Sequence, residues 1–250
     1  MMEYSFLFLL CVIPSIMLYG VAKSGLGGSL SLISIPLMTI VMPLSQALAI
    51  ILPILILSDM VAVYKFRKQF DFDTIRLMTI GGGIGVITGS LTYTYFSEAV
   101  IKLLIGLMGF FFTTHYFIFK RKKIIPLEKS IVKGGVSSMV AGFASFCAHA
   151  GGTPTSIYLL PLRFKKEIYV GTRVIFFMFL NLIKLPFYIH LSFITLESLK
   201  QSIIFFPASL VGIYIGIQIL KRIEEKLFYN IVYLLILISS VRLIIEYISK

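Results

Sequence analysis

Two glycine-broken stretches hold the residue types best suited to grip a small solute. They are Gly25-Leu26-Gly27-Gly28-Ser29 and His149-Ala150-Gly151-Gly152-Thr153, with the glycine pairs 124 residues apart in a 250-residue chain. Glycine admits backbone conformations that let a ligand approach main-chain amides closely. If a helix starts at each break, its first turn presents unpaired N–H groups and the positive end of the helix dipole. Such a terminus binds an anion without needing an arginine. The candidate binding residues are therefore Gly27, Gly28, Ser29, Gly151, Gly152 and Thr153, with the two hydroxyls able to cap a helix or touch the solute. His149 adds an imidazole able to hydrogen-bond an anion or carry a proton with it. Three more polar residues, Asp59, Asn181 and Lys184, lie inside apolar runs, where such residues mark functional positions. Asn181 and Lys184 share a helix face at i, i+3. Snorkelling of Lys184 to the interface is an equally good reading, and no Asp59–Lys184 pair follows from sequence.

The elements that would position these residues are membrane helices. The chain is 58% hydrophobic and 14% charged, with a mean hydropathy of +0.97. That composition makes a lipid bilayer its solvent. The first apolar segment follows Glu3 rather than a basic start, so it reads as a retained helix. Ten apolar segments follow from hydropathy, at about 5–22, 29–43, 45–64, 74–96, 99–119, 134–148, 152–162, 169–189, 199–220 and 227–248. The second and seventh are short for a full crossing, suit a half-helix or a tilted one, and each follows a glycine break. The fold class expected is all-α, with about ten transmembrane segments.

The positive charges are unevenly placed. The turns after segments one, three, five, seven and nine hold 18 of the 23 basic residues, Lys23 among them, and Arg173 reads as a topology anchor with substrate attraction as the second reading. The intervening turns are nearly bare, so the positive-inside rule puts both termini outside a plasma or inner membrane. This placement accounts for the net charge of +12 without a nucleic-acid partner. Five segments per half make the halves inverted copies: residues 1–119, a basic cytoplasmic linker at 120–133, and residues 134–250. Glycine-broken segments at matching positions in two such halves point to a carrier's binding site. Gly85-x-x-x-Gly89 and Gly212-x-x-x-Gly216 also correspond, and packing between helices is the preferred reading for them. Cys11 and Cys147 read as buried, inert thiols.

The run from Gly142 to Pro154, GFASFCAHAGGTP, resembles the second-half signature of the TauE/SafE family, also called the toluene sulfonate uptake permease family. Its continuation matches as well: Tyr158 to Leu162, Gly171-Thr172, Phe176-Phe177, Asn181, Lys184 and Pro186. Gly25-x-Gly-Gly28 and Pro36 look like the first-half copy, although Ser29 stands where many members carry a third glycine. The resemblance implies a multi-pass carrier for sulfite, a sulfonate or a related organosulfur anion. Its partners would be the small anionic solute and the bilayer, with proton coupling and a homo-oligomer left open. No cofactor and no metal is expected. An intramembrane enzyme and an anion channel are the alternatives. The first lacks Gly-x-Ser-x-Gly and His-Glu-x-x-His, and the second lacks any filter-like stretch. The chain has no Walker A pattern to support ATP-driven transport.

Overall fold

A computed structural model describes residues 5–26, 31–93, 95, 97–119 and 126–248. Gly27, Gly28 and Ser29 lie outside the described residues. The described residues form ten α-helices: α1 (Phe6–Val21), α2 (Ser31–Met38), α3 (Leu44–Phe66), α4 (Phe72–Thr92), α5 (Glu98–Phe119), α6 (Ile131–Ala148), α7 (Gly152–Leu159), α8 (Lys166–His190), α9 (Leu196–Arg222) and α10 (Glu225–Ile248). Eight are long and apolar enough to cross a membrane. The helices α2 and α7 are not, at eight residues each, although Leu160–Leu162 extends α7 by a 3-10 turn. The all-α class expected of the chain is what the described residues show, with eight candidate spans where about ten segments were expected.

Local signals set the helix starts. Ser5, Asp71, Ser130 and Thr195 each accept a hydrogen bond from an amide of the turn that follows, and Thr195 with Ser198 completes a capping box. Pro14, Pro53, Pro186 and Pro207 sit inside long helices, as membrane helices tolerate. The end of α1 widens into a π-helical turn over Ala22–Leu26, and such turns favour functional positions.

Two seams hold the bundle at backbone distance. Along α4 and α6, Gly81 faces Gly135 and Ser138, Gly85 faces the Met139 carbonyl, and Gly89 faces Phe146. Along α1 and α9, Gly20 faces Ser209 and Gly212, and Gly25 faces Gly216. Residue numbers rise together in both, so each pair runs parallel. A Cβ on Gly85 would stand 1.9 Å from the Met139 oxygen, and one on Gly212 would stand 2.1 Å from the Met17 oxygen. The packing role expected of these glycines is what they perform.

The remaining contacts follow one pattern. Helix α3 packs on α8, α5 on α10, α3 also on α9, and α8 also on α4. Each short helix packs on its predecessor, α2 on α1 and α7 on α6. The second of these hairpins is antiparallel. Ser137 donates to the Pro154 carbonyl, Gly134 faces Tyr158, and the Leu127 amide donates to the Pro161 carbonyl at 3.0 Å. The chain therefore turns back at His149 and returns to the end where α6 began.

Candidate functional site

One face of α8 builds most of the site. Arg173, Phe177, Asn181, Lys184 and Tyr188 recur at helical spacing and are all buried. Opposite this face stand α3, the π turn at the end of α1, and the tip between α6 and α7. Asp59 on α3 is fully buried, and Lys23 from the π turn forms an ion pair with it. The Asn181 side-chain amide donates to the other oxygen of Asp59 at 2.7 Å. Asp59 is thus a carboxylate that accepts at both oxygens, an arrangement that offsets its burial.

One turn further along α8, Lys184 is fully buried. Its Nζ lies 3.2 Å from the Ser145 carbonyl, 3.1 Å from the Ser145 hydroxyl and 2.9 Å from Nδ1 of His149. Snorkelling is therefore overturned, because these three partners from the end of α6 hold the amine inside. His149 caps α6 in a left-handed conformation, with φ 49°, which a non-glycine residue adopts rarely. That bend aims its ring across the hairpin, with Nε2 3.4 Å from the Leu48 carbonyl on α3. Since the Lys184 ammonium can only donate, Nδ1 of His149 accepts its hydrogen bond and Nε2 carries the ring hydrogen.

Beside these groups lies a cavity of about 30 Å3, lined by Tyr19, Ala22, Lys23, Leu55, Ser145, His149, Gly152, Arg173, Phe177 and Asn181. Lys23 and Arg173 both stand over the Phe177 ring, at 5.4 and 5.5 Å from its centroid. Among the described residues, neither Arg173 nor Lys184 has a carboxylate within salt-bridge distance. The site thus gathers three basic side chains and one histidine around a single acid.

The sequence candidates divide three ways. His149, Gly152, Asn181, Lys184 and Asp59 come together here. Gly151 lies just behind, where a Cβ would meet the Ala141 carbonyl and Ser145. Thr153 is turned away, with its methyl toward Gly109 on α5 and its hydroxyl buried without a partner.

Two residues counted among the loop charges belong to the site instead. Lys23 pairs with Asp59, and Arg173 is only 6% exposed and lines the cavity. Removing both from the loop count leaves 16 basic residues on the same set of turns, so the charge asymmetry survives. Arg173 was legible, since it falls on the face shared by Phe177, Asn181 and Lys184. Lys23 had a weaker signal, a lone basic residue two positions before the glycine break. Ser145 lay within the Gly142–Pro154 run, one turn before His149, and Tyr19 carried no signal. Cys11 and Cys147 are free and buried.

Eight apolar candidate spans around a cation-rich polar site beside the α6–α7 break fit a multi-pass membrane transport protein. The sequence agrees: the family described as Sulfite exporter TauE/SafE matches residues 12–243, and the chain belongs to that family. The family is one of transporters, not enzymes. No curated protein and no solved structure matched the chain in the same comparisons.

Proposed function

We propose that this chain is a secondary carrier of a small anion, sulfite or a sulfonate first among them, working by alternating access between two inverted repeats. The observation that carries the proposal is the excess of buried cations. Lys23, Lys184 and Arg173 surround the single acid Asp59, with Lys184 and Arg173 buried and Lys23 largely so, and positive charge left uncompensated there is costly until an anion neutralises it. Gly151, Gly152 and the first turn of α7 would add main-chain N–H groups at the rim. Proton coupling belongs to the same reading, through the hydrogen-bonded His149 and Lys184.

The repeats would be residues 1–119 and 134–250, with 120–133 as a cytoplasmic linker. Helix pairing supports this. Exchanging each helix for the one five places later maps α1–α9 onto α6–α4 and α3–α9 onto α8–α4, while α3–α8 and α5–α10 map onto themselves. The charge asymmetry supports an orientation in the cell membrane with both termini outside.

Flux in proteoliposomes tests the proposal. Saturable sulfite or sulfonate uptake is expected, lost in Gly152→Leu and kept in Gly135→Ala, where an added Cβ meets nothing within 4 Å. Non-saturating flux would make the protein a channel. Equal flux in the two variants would remove the cavity from the transport path.

A further inference from the structure

Resting on the reading of this cavity as the anion site, we propose that the species bound is a singly protonated oxyanion of only a few heavy atoms. Arg173 and Tyr19 would serve as its donors, and Asn181 as the acceptor of its O–H.

The argument turns on three buried atoms of cavity-lining side chains that have no partner: the Tyr19 hydroxyl, Nε of Arg173 and Oδ1 of Asn181. All three residues are more than nine-tenths buried. Buried polar atoms are rarely left unmade, because each costs the desolvation of the group. The orientation of the Asn181 amide is fixed by its neighbour. Asp59 accepts from Lys23 and has no hydrogen to give, so Asn181 must turn its NH2 toward Asp59 and leave its carbonyl oxygen for the cavity. Arg173 is always protonated and offers Nε–H as a donor. The Tyr19 hydroxyl can donate beside it.

A fully deprotonated oxyanion carries acceptors only. It satisfies Arg173, Tyr19 and Lys23, but sets a lone pair against Oδ1 of Asn181. A neutral acid donates to Asn181 but leaves the cation excess uncompensated. A singly protonated oxyanion does both, with one O–H to Asn181 and its remaining oxygens to the donors. The volume of about 30 Å3 holds about two waters by the measure in which one needs about 10–15 Å3, a size that suits an oxyanion of a few heavy atoms. Hydrogensulfite has this size and pattern. In that case a proton crosses on the solute itself, with no side chain required to titrate.

The test is a binding series on the purified full-length protein in lipid nanodiscs, using sulfite and nitrate as probes across pH. Nitrate has the same single charge and similar size but no O–H. Of the titratable and charged groups, Tyr19 of α1, Lys23 of the π turn, His149 at the α6–α7 tip and Arg173 of α8 line the cavity, while Asp59 of α3 and Lys184, Cys147 and Tyr188 stand next to those groups. The nitrate series reports their own titration. Sulfite is expected to bind more tightly as pH falls through its conversion to hydrogensulfite, while nitrate stays flat. At the acid end sulfite should be favoured by about tenfold or more, since a site built to pair an O–H rejects an analogue lacking it. Asn181→Leu should bring the two anions level, and Arg173→Gln should weaken both. Sulfite affinity that ignores pH, or nitrate bound equally well by the wild type, would overturn the inference while leaving the anion site standing. Failure of every anion to bind would remove the site reading and the inference together. The wild-type series decides even if a variant fails to fold.

Discussion

The Lys184 amine donates to Nδ1 of His149 across 2.9 Å, joining the middle of α8 to the tip where α6 turns into α7. This single contact, with Ser145 beside it, ties a long helix to a broken one. It also fixes the tautomer: Nδ1 accepts from the amine, and Nε2 carries the hydrogen that faces the Leu48 carbonyl.

His149→Gln keeps an acceptor for Lys184 and a donor for the Leu48 carbonyl, whereas His149→Leu keeps neither. Sulfite flux in proteoliposomes is expected to fall by about ten- to a hundredfold in His149→Leu, the scale of one charge-assisted hydrogen bond. His149→Gln should lose much less. Equal losses would show that hydrogen bonding at this tip is not what transport needs.

Asp59 and Lys23 form a buried ion pair, so removing one partner strands the other. Asp59→Asn should destabilise the protein by about 3–5 kcal/mol, seen as a lower melting temperature in detergent. The double variant Lys23→Met, Asp59→Leu should recover most of that stability, because an apolar pair of similar volume avoids the stranded charge. It should not recover flux. A double variant as unstable as the single one would contradict the pairing.

The glycine seams predict a graded series. Gly85→Ala forces a methyl group onto the Met139 carbonyl and should cost at least about 1–3 kcal/mol, the scale of overpacking. Gly135→Ala, one turn before Met139 on the facing helix, should be neutral within about 0.5 kcal/mol. Thermal unfolding of the two variants side by side measures both.

At the helix ends, Lys129 bridges Asp71 at 2.7 and 2.8 Å, and the Asp71 amide donates to Thr172 on α8. Partial burial pushes the Asp71 carboxyl up, but the Lys129 ammonium and the Thr74 amide outweigh it and hold it below the usual carboxylate range. The bond to Asp71 raises Lys129 in turn. A depressed carboxylate contributes stability that is present above its unfolded pKa of about 4 and lost as pH falls through the folded value. Asp71→Asn, which retains helix capping, should therefore differ from wild type at neutral pH by no more than about 1 kcal/mol. The gap should close below about pH 4, in melting curves taken over pH 3 to 7. On the alkaline side, the raised lysine holds its share until pH rises past its own folded value. A gap that widened in acid would reverse the sign of the assignment.

Much of this was legible in the chain because lipid imposes strict rules. Apolar runs marked the helices to within a few residues, and the short lengths of α2 and α7 were visible in the hydropathy pattern. Asp59, Asn181 and Lys184 stood out because an ionisable or amide side chain has few uses within a bilayer. Their partners were hidden by distance along the chain. Lys23 lies 36 residues from Asp59, and Asn181 lies 122 from it. Charge counting placed Lys23 and Arg173 in loops, since a basic residue near a segment end looks the same whether it faces water or a cavity. Thr153 misled in the other direction. Its place beside the glycine pair suggested the site, yet the rotation of α7 points it at α5.

The seam between α1 and α9 also bears on how the protein is made. α1 ends at residue 21 and α9 begins at residue 196, so at about 5–20 residues per second α1 emerges some ten to forty seconds before its partner exists. α6 differs, because its partner α4 is already in place. Until Ser209 and Gly212 arrive, the flat glycine face of α1 has only lipid to lie against, and Lys23 must wait near the surface or find Asp59 early. The last helices of the chain therefore complete the packing of the first, and a truncation before α9 would leave α1 unfinished rather than yield a working half.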